Sequence, residues 1–148
     1  MTVYLDTSSL VKLFIEEAGS DDVRALVAGA TVASSVVAYP EARAAFARRR
    51  RERTLTPRAF AAAKRALDGD WSTYVSVEVT ADVARQAGEL AERYRLRGFD
   101  SIHLACFDAL ARQSGREAVL FSSFDEALNR AVAALRKTRG LTPSSPRS

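Results

Sequence analysis

Val3-Tyr4-Leu5-Asp6-Thr7-Ser8-Ser9 is an apolar run that stops at an acid and passes at once into three hydroxyl residues. It reads as a strand feeding a helix. In open parallel sheets, ligands bind beyond the carboxyl ends of the strands, where the strand order reverses, and an acid closing the first strand points into that crevice. Asp6 could instead cap the helix by accepting a backbone N–H. Thr7 or Ser8 would cap as well, so Asp6 is read as functional.

Working outward from this stretch, strands and helices alternate. A helix is expected over Ser9 to Glu16 and, after the Gly19-Ser20 turn, another over Asp21 to Ala28. Thr31 to Ala33 is a short strand, followed by a helix that carries Glu41 and runs into an arginine cluster. Pro40 forces that helix either to begin near Tyr39 or to bend. Thr56 caps a further helix with Pro57 at its first position, reaching about Leu67. Tyr74 to Val79 alternates like a strand, and Val83, Ala87, Leu90 and Tyr94 recur at helical spacing. Gly98 breaks that pattern. Asp100 then opens a helix whose apolar stripe includes Ile102, Ala105, Cys106 and Ala109, and Gly115 closes it. Ala118 to Phe121 is the last strand, and Asp125 begins a final helix to about Lys137. Such alternation predicts an α/β fold with a central parallel sheet covered on both faces.

With 148 residues and 47% apolar content, one domain over residues 1–137 suffices, followed by a flexible Pro/Ser/Gly-containing tail over 138–148. The lone cysteine, Cys106, excludes an intramolecular disulfide and reads as a small packing residue. No apolar run is long enough to span a bilayer and no signal-peptide core is visible, so a cytoplasmic location is expected. The formal charge of +4 is mild, but between Arg43 and Arg65 there are nine Arg or Lys residues against one acid, Glu52. That concentration points to a negatively charged partner.

Three further segments, Tyr39-Pro40-Glu41-Ala42, Gly98-Phe99-Asp100-Ser101 and Ser123-Phe124-Asp125-Glu126, each bring one carboxylate to a strand end or a helix start, as the first brings Asp6. Such acids can converge at one rim. Like charges held close raise one another's pKa unless a cation lies among them. With no His-Cys cluster in the chain, oxygen ligands favour Mg²⁺ or Mn²⁺ over zinc. A hard ion of this kind activates water and screens phosphate oxygens, which suits hydrolysis of a phosphodiester.

Leu5-Asp6-Thr7-Ser8-Ser9-Leu10-Val11, Ser35-Val36-Val37-Ala38-Tyr39-Pro40-Glu41, Arg97-Gly98-Phe99-Asp100-Ser101-Ile102-His103-Leu104-Ala105 and Phe121-Ser122-Ser123-Phe124-Asp125 resemble, in order and spacing, the motifs of PIN-domain proteins, VapC toxins above all. The resemblance runs from about Val3 to about Leu135. It implies a three-layer α/β/α nuclease that cuts RNA with Mg²⁺ or Mn²⁺, is blocked by a cognate VapB-like antitoxin, and forms homodimers. The family's acidic quartet maps onto Asp6, Glu41, Asp100 and Asp125, with Asp6 and Asp100 as expected metal ligands and Asp125 acting through water. Ser123 takes the place of a small hydroxyl residue near the metal, and Thr7 and Ser8 are expected to orient Asp6 or to cap.

Other residues have plainer readings. His103, one turn beyond Asp100, could be a general base, but a metal-bound water needs no imidazole, and a lone helical histidine is read as structural. Asp108 lies about 12 Å along the helix from Asp100 and is read as a surface or interface residue. Glu16, Glu17, Asp21 and Asp22 read as a solvated loop and helix start. Arg48, Arg49, Arg50 and Arg51 cannot share one helical face, so the run is expected to project into solvent. It either complements the helix C-terminus or grips RNA phosphates. Two alternatives to a nuclease stand at this point: a catalytically silent RNA- or antitoxin-binding module, and a haloacid-dehalogenase-like phosphatase, although Ser8 occupies the position where the latter needs a second Asp.

Overall fold

The computed structural model describes residues 1–115 and 118–140. Four strands, β1 (Thr2–Leu5), β2 (Thr31–Ser35), β3 (Val75–Val77) and β4 (Val119–Ser122), form one sheet in the order β3-β2-β1-β4. All neighbours pair in parallel, with Tyr4 opposite Ala33 on one side and Phe121 on the other. The chain therefore builds outward from β1 through β2 to β3 and then returns to place β4 on the other side of β1. The reversal puts the crevice beyond the ends of β1 and β4, the position that such sheets use for ligands.

Helices α1 (Thr7–Phe14), α2 (Ser20–Val27), α3 (Ala38–Arg51) and α4 (Pro57–Trp71) precede β3, while α5 (Ala81–Tyr94), α6 (Gly98–Ser114) and α7 (Glu126–Thr138) follow it. Because successive strand residues point to opposite faces, β1 contributes to two separate cores. Val3 and Leu5 pack with Leu10, Val23, Phe46 and Leu67 from the first four helices. Tyr4 packs with Leu90, Leu104, Phe107 and Leu128 from the last three. The result is the expected three-layer α/β/α arrangement, and β1, fully buried from Val3 to Leu5, is its middle.

Local chemistry sets the ends of the elements. Pro40 lies in the first turn of α3, which starts at Ala38, so its missing N–H interrupts no bond and the helix does not need to bend there. Thr56 caps α4 by accepting from the Ala59 N–H, with Pro57 leading the helix. Gly98 is the first residue of α6 rather than a break ahead of it. Helix α7 reaches Thr138, one residue beyond the expected domain boundary; of the expected tail, residues 141–148 lie outside the described residues.

Two surface readings need correction. Asp108 is buried, accepting from Gln86 Nε2 at 2.7 Å and pairing with Arg139 at 2.9 Å and Arg112 at 3.3 Å, so it ties α5 and α6 to the end of α7. The arginine run does not project into solvent as a unit. Arg48 and Arg51 are exposed, Arg50 is half-buried, and Arg49 forms an ion pair with Glu17. Of the acidic cluster around the Gly19 turn, Glu17 also holds Lys12 at 3.0 Å, while Arg24 bridges Glu16 and Asp21. No described helix is long and apolar enough to cross a membrane.

Candidate active site

Asp6 leaves β1 buried, 4% exposed, with its backbone N–H donated to the Ser122 carbonyl at 3.1 Å. Its Oδ1 accepts from the Ser9 N–H at 3.0 Å and from Ser8 Oγ at 2.7 Å, and its Oδ2 accepts from Ser123 Oγ at 2.6 Å. Capping and site-building are thus one geometry: the bond that caps α1 also fixes the carboxylate at the end of the strand. Ser8 and Ser123 serve two partners each. Ser8 Oγ accepts from the Phe124 N–H at 2.9 Å, and Ser123 Oγ accepts from the Asp125 N–H at 3.0 Å. The two hydroxyls stitch the turn after β1 to the turn after β4. Asp125 is held there by its own cap, Oδ1 accepting from the Leu128 N–H at 2.8 Å.

Glu41 arrives from the first turn of α3 and meets Thr7 and His103. Thr7 Oγ1 donates to its Oε1 at 2.7 Å, and His103 Nε2 lies 3.0 Å from the same oxygen. Since a carboxylate only accepts, Nε2 carries the imidazole proton, and Nδ1 is the free acceptor. Tyr4 supplies the donor, its hydroxyl lying 2.9 Å from Nδ1. Burial, reinforced by the nearby Cys106 and Asp6, pushes the Tyr4 phenol well above its ordinary range and keeps that proton in place. Burial alone would raise Glu41 too, but the bonds from His103 and Thr7, with the nearby charge of Arg97, hold its carboxyl below the usual carboxylate range. Tyr4, His103 and Glu41 therefore form a directed chain from the core to the site.

Asp100 stands in the first turn of α6, where its Oδ2 accepts from Arg97 Nε at 3.0 Å. The same guanidinium reaches Asp125 Oδ2 at 3.7 Å. Glu41, Arg97, Gly98, Phe99 and Asp100 line a cavity of about 220 Å³. The four acids thus surround one rim: Asp6 is tied to Asp125 through Ser123, Asp125 to Asp100 through Arg97, and Glu41 to the β1 turn through Thr7. Among the described residues, no three His, Cys, Asp or Glu side chains already form a group set to hold a metal ion. The donors present are carboxylates and hydroxyls, the set that suits a hard cation.

A second hollow, of about 400 Å³, runs from this rim along α3. It is lined by Thr7, Glu41, Ala44, Ala45, Arg48 and Arg51. Residues 41, 44, 45, 48 and 51 recur at helical spacing and share one face. The small alanines form the floor between an acidic end and a basic end. Arg49 turns away to Glu17. A larger cleft, about 560 Å³, lies at the free edge of β3 against α6, but it is walled chiefly by Val75, Val77, Val83 and Leu110, and none of the four converging acids lines it. Volume alone does not mark a site; convergent polar groups do.

Three residues of this geometry escape the reading of the sequence. His103 is structural, as expected, yet it also holds Glu41; its spacing of three from Asp100, which places both on one helical face, is the signal. Tyr4 is hidden inside an apolar strand, although a buried tyrosine hydroxyl requires a partner. Arg97, immediately before α6, belongs to the quoted motif but carries no weight there until its contact with Asp125 is seen.

The PIN domain profile matches residues 3–134. The chain is 45% identical over 104 residues to Ribonuclease VapC45 and to Ribonuclease VapC49 of Mycobacterium tuberculosis, an alignment covering 70% of this chain and 72% of each relative. Among solved structures, the fold is similar to that of Mycobacterium tuberculosis VapC20, described as a Sarcin-Ricin loop cleaving toxin, with TM-score 0.63 and 23% identity over 87% of this chain and 94% of that one. It is also similar to a chain of VapBC2 from Rickettsia felis bound to a DNA fragment from their promoter, with TM-score 0.55 and 15% identity over 84% and 100% of the two chains. A first strand closed by a bonded aspartate, a strand order that reverses beside it and a profile spanning nearly the whole sequence agree: the chain belongs to the PIN-domain family and is of the VapC kind.

Proposed function

We propose that this chain is a divalent-metal-dependent endoribonuclease, the toxin of a VapBC-type toxin–antitoxin pair, acting in the cytoplasm as a homodimer and restrained by a VapB-like antitoxin. The observation that carries the catalytic part is the gathering of Asp6, Glu41, Asp100 and Asp125 from four remote segments onto one rim. The likeness to VapC ribonucleases supports RNA as the substrate. Asp6 and Asp100 would hold Mg²⁺ or Mn²⁺, which supplies an activated water and neutralises charge on the phosphate.

The chain's own residues do the rest. Hydrolysis requires a water aligned with the phosphorus and a group to take its proton. Glu41 suits the second of these roles, because both of its hydrogen bonds fall on Oε1, which leaves Oε2 for the cavity, and the same bonds keep it ionised. Ser8 and Ser123 keep Asp6 from rotating. Purified chain is expected to cut RNA with Mg²⁺ or Mn²⁺ and to stop on chelation, with activity returning when the metal is restored. Cleavage that continues undiminished in a chelator refutes the metal-dependent reading.

The groove along α3 divides the arginine run. Arg48 and Arg51, which line the same hollow as Glu41, would grip phosphates leading away from the cut, whereas Arg49 is committed to Glu17. Each phosphate contact on a single strand contributes about 0.7 to the slope of log affinity against log salt. Replacing Arg48 and Arg51 together by Ala is expected to flatten that slope by roughly 1.4, and Arg49→Ala to leave it unchanged. Fluorescence-anisotropy titrations on the Asp6→Asn background, which is expected to bind RNA while cutting it at least about a hundredfold more slowly, measure it. Equal slopes in all three proteins would assign the run to helix-end complementation instead.

A further inference from the structure

Arg97 is a cation already standing among the acids. Its Nε is 3.0 Å from Asp100 Oδ2, its Nη2 is 3.7 Å from Asp125 Oδ2, and it shares the walls of the small cavity with Glu41. Asp100 and Asp125 come from different elements, so the guanidinium bridges α6 to the start of α7. Its side chain is 83% exposed, which leaves it free to swing. The backbone before α6 is extended, and Arg97 stands at the N-cap of that helix without its side chain capping the helix backbone. We propose that Arg97 is a tethered counter-cation of the acidic rim that bridges Asp100 and Asp125, competes with the divalent ion for Asp100, and swings out when the ion binds.

This inference rests on the divalent-ion reading above. The competition follows from charge. With Arg97 in place the carboxylates are partly neutralised, and an incoming cation has to displace it. A site available for only a fraction of the time shows an affinity reduced by that fraction. Exposed ion pairs are individually weak, so the handicap is modest and reversible: it keeps the rim quiet without metal and does not prevent loading. Arginine suits this role because its planar fork reaches two carboxylates at once and never loses its charge.

The test is Mn²⁺ binding to the full-length chain, followed by isothermal titration calorimetry and by loss of the free Mn²⁺ paramagnetic resonance signal, with no RNA present. Arg97→Gln removes the charge and keeps much of the side chain's size. It is expected to bind Mn²⁺ roughly three- to tenfold more tightly than the native chain, the span of one to two weak surface pairs, while Arg97→Lys falls between the two. Native chain also reports directly: the Arg97 Nε–H resonance is expected to shift as Mg²⁺ is added, because its partner Asp100 is taken away. That measurement holds even where a variant fails to fold. Equal or weaker Mn²⁺ binding by a folded Arg97→Gln protein, or an Arg97 resonance unmoved at saturating Mg²⁺, overturns the inference and leaves the metal reading standing. Absence of Mn²⁺ binding by the native chain and both variants takes down both.

Discussion

Asp6→Asn is expected to lower RNA cleavage by about a hundredfold or more, the scale on which a single preorganised charge-stabilising group acts, while the protein remains folded. The hydrogen bonds explain why the two effects separate. Asn keeps an Oδ1 that accepts from Ser8 and from the Ser9 N–H, so the cap on α1 survives. Its new Nδ2 faces Ser123 Oγ, which already accepts from the Asp125 N–H. A hydroxyl has a second lone pair, so Ser123 turns its own proton aside and accepts both. The net loss is one hydrogen bond rearranged, about 1 kcal/mol, or a melting shift of about 2–4 °C in a chain of this size. What disappears is the negative charge at the centre of the rim. Single-turnover cleavage with Mn²⁺, measured beside a circular-dichroism melt, checks both halves; near-native cleavage by a folded Asp6→Asn protein removes Asp6 from the site.

His103→Ala is expected to damage fold and activity together. The imidazole is buried and bonded on both nitrogens, so its removal leaves the Tyr4 hydroxyl without this acceptor and Glu41 without one of its two donors. The unpaired buried hydroxyl and the cavity together amount to about 3 kcal/mol, or roughly 10 °C of melting temperature. The functional mark is more specific. Glu41 is held below the usual carboxylate range partly by His103, so without it Glu41 protonates at higher pH and the acid limb of the pH–rate profile moves upward. His103→Gln, which restores a donor, should move the limb back toward native. A profile unchanged in His103→Ala, apart from lower amplitude at every pH, would restrict His103 to packing.

The contrast between these two positions explains what can be read in the sequence and what cannot. Asp6 is legible because a strand-ending acid ahead of hydroxyl residues is a local pattern, and strand–helix alternation supplies the sheet that gives it meaning. Thr56-Pro57 and the acid at the start of the final helix are legible for the same reason: caps are settled within a few residues. The start of α6 differs by two residues because Gly98 is compatible with both a break and a first turn. His103 depends on partners 99 and 62 residues away, Tyr4 and Glu41, and no window along the chain contains them. The arginine run shows the limit most clearly. Helical periodicity establishes that the four side chains diverge, but only the folded chain shows that Arg49 is drawn to Glu17 while Arg48 and Arg51 flank the groove. Asp108 fails in the opposite direction, since a charged helical residue reads as surface until Gln86, Arg112 and Arg139 close over it.

Tyr4 has a consequence for genetics. Its ring stacks on Phe121 and meets Phe107 edge-on within the core, while its hydroxyl begins the chain that ends at Glu41. If expression of this chain arrests growth, as the proposed function requires, colonies that escape should carry two kinds of lesion. Changes at Tyr4 or His103 would spare the host by depleting the protein itself, leaving nothing for an antitoxin to hold. Changes at Asp6 would leave an intact, harmless decoy that still engages the antitoxin, and blotting the survivors would tell the two apart.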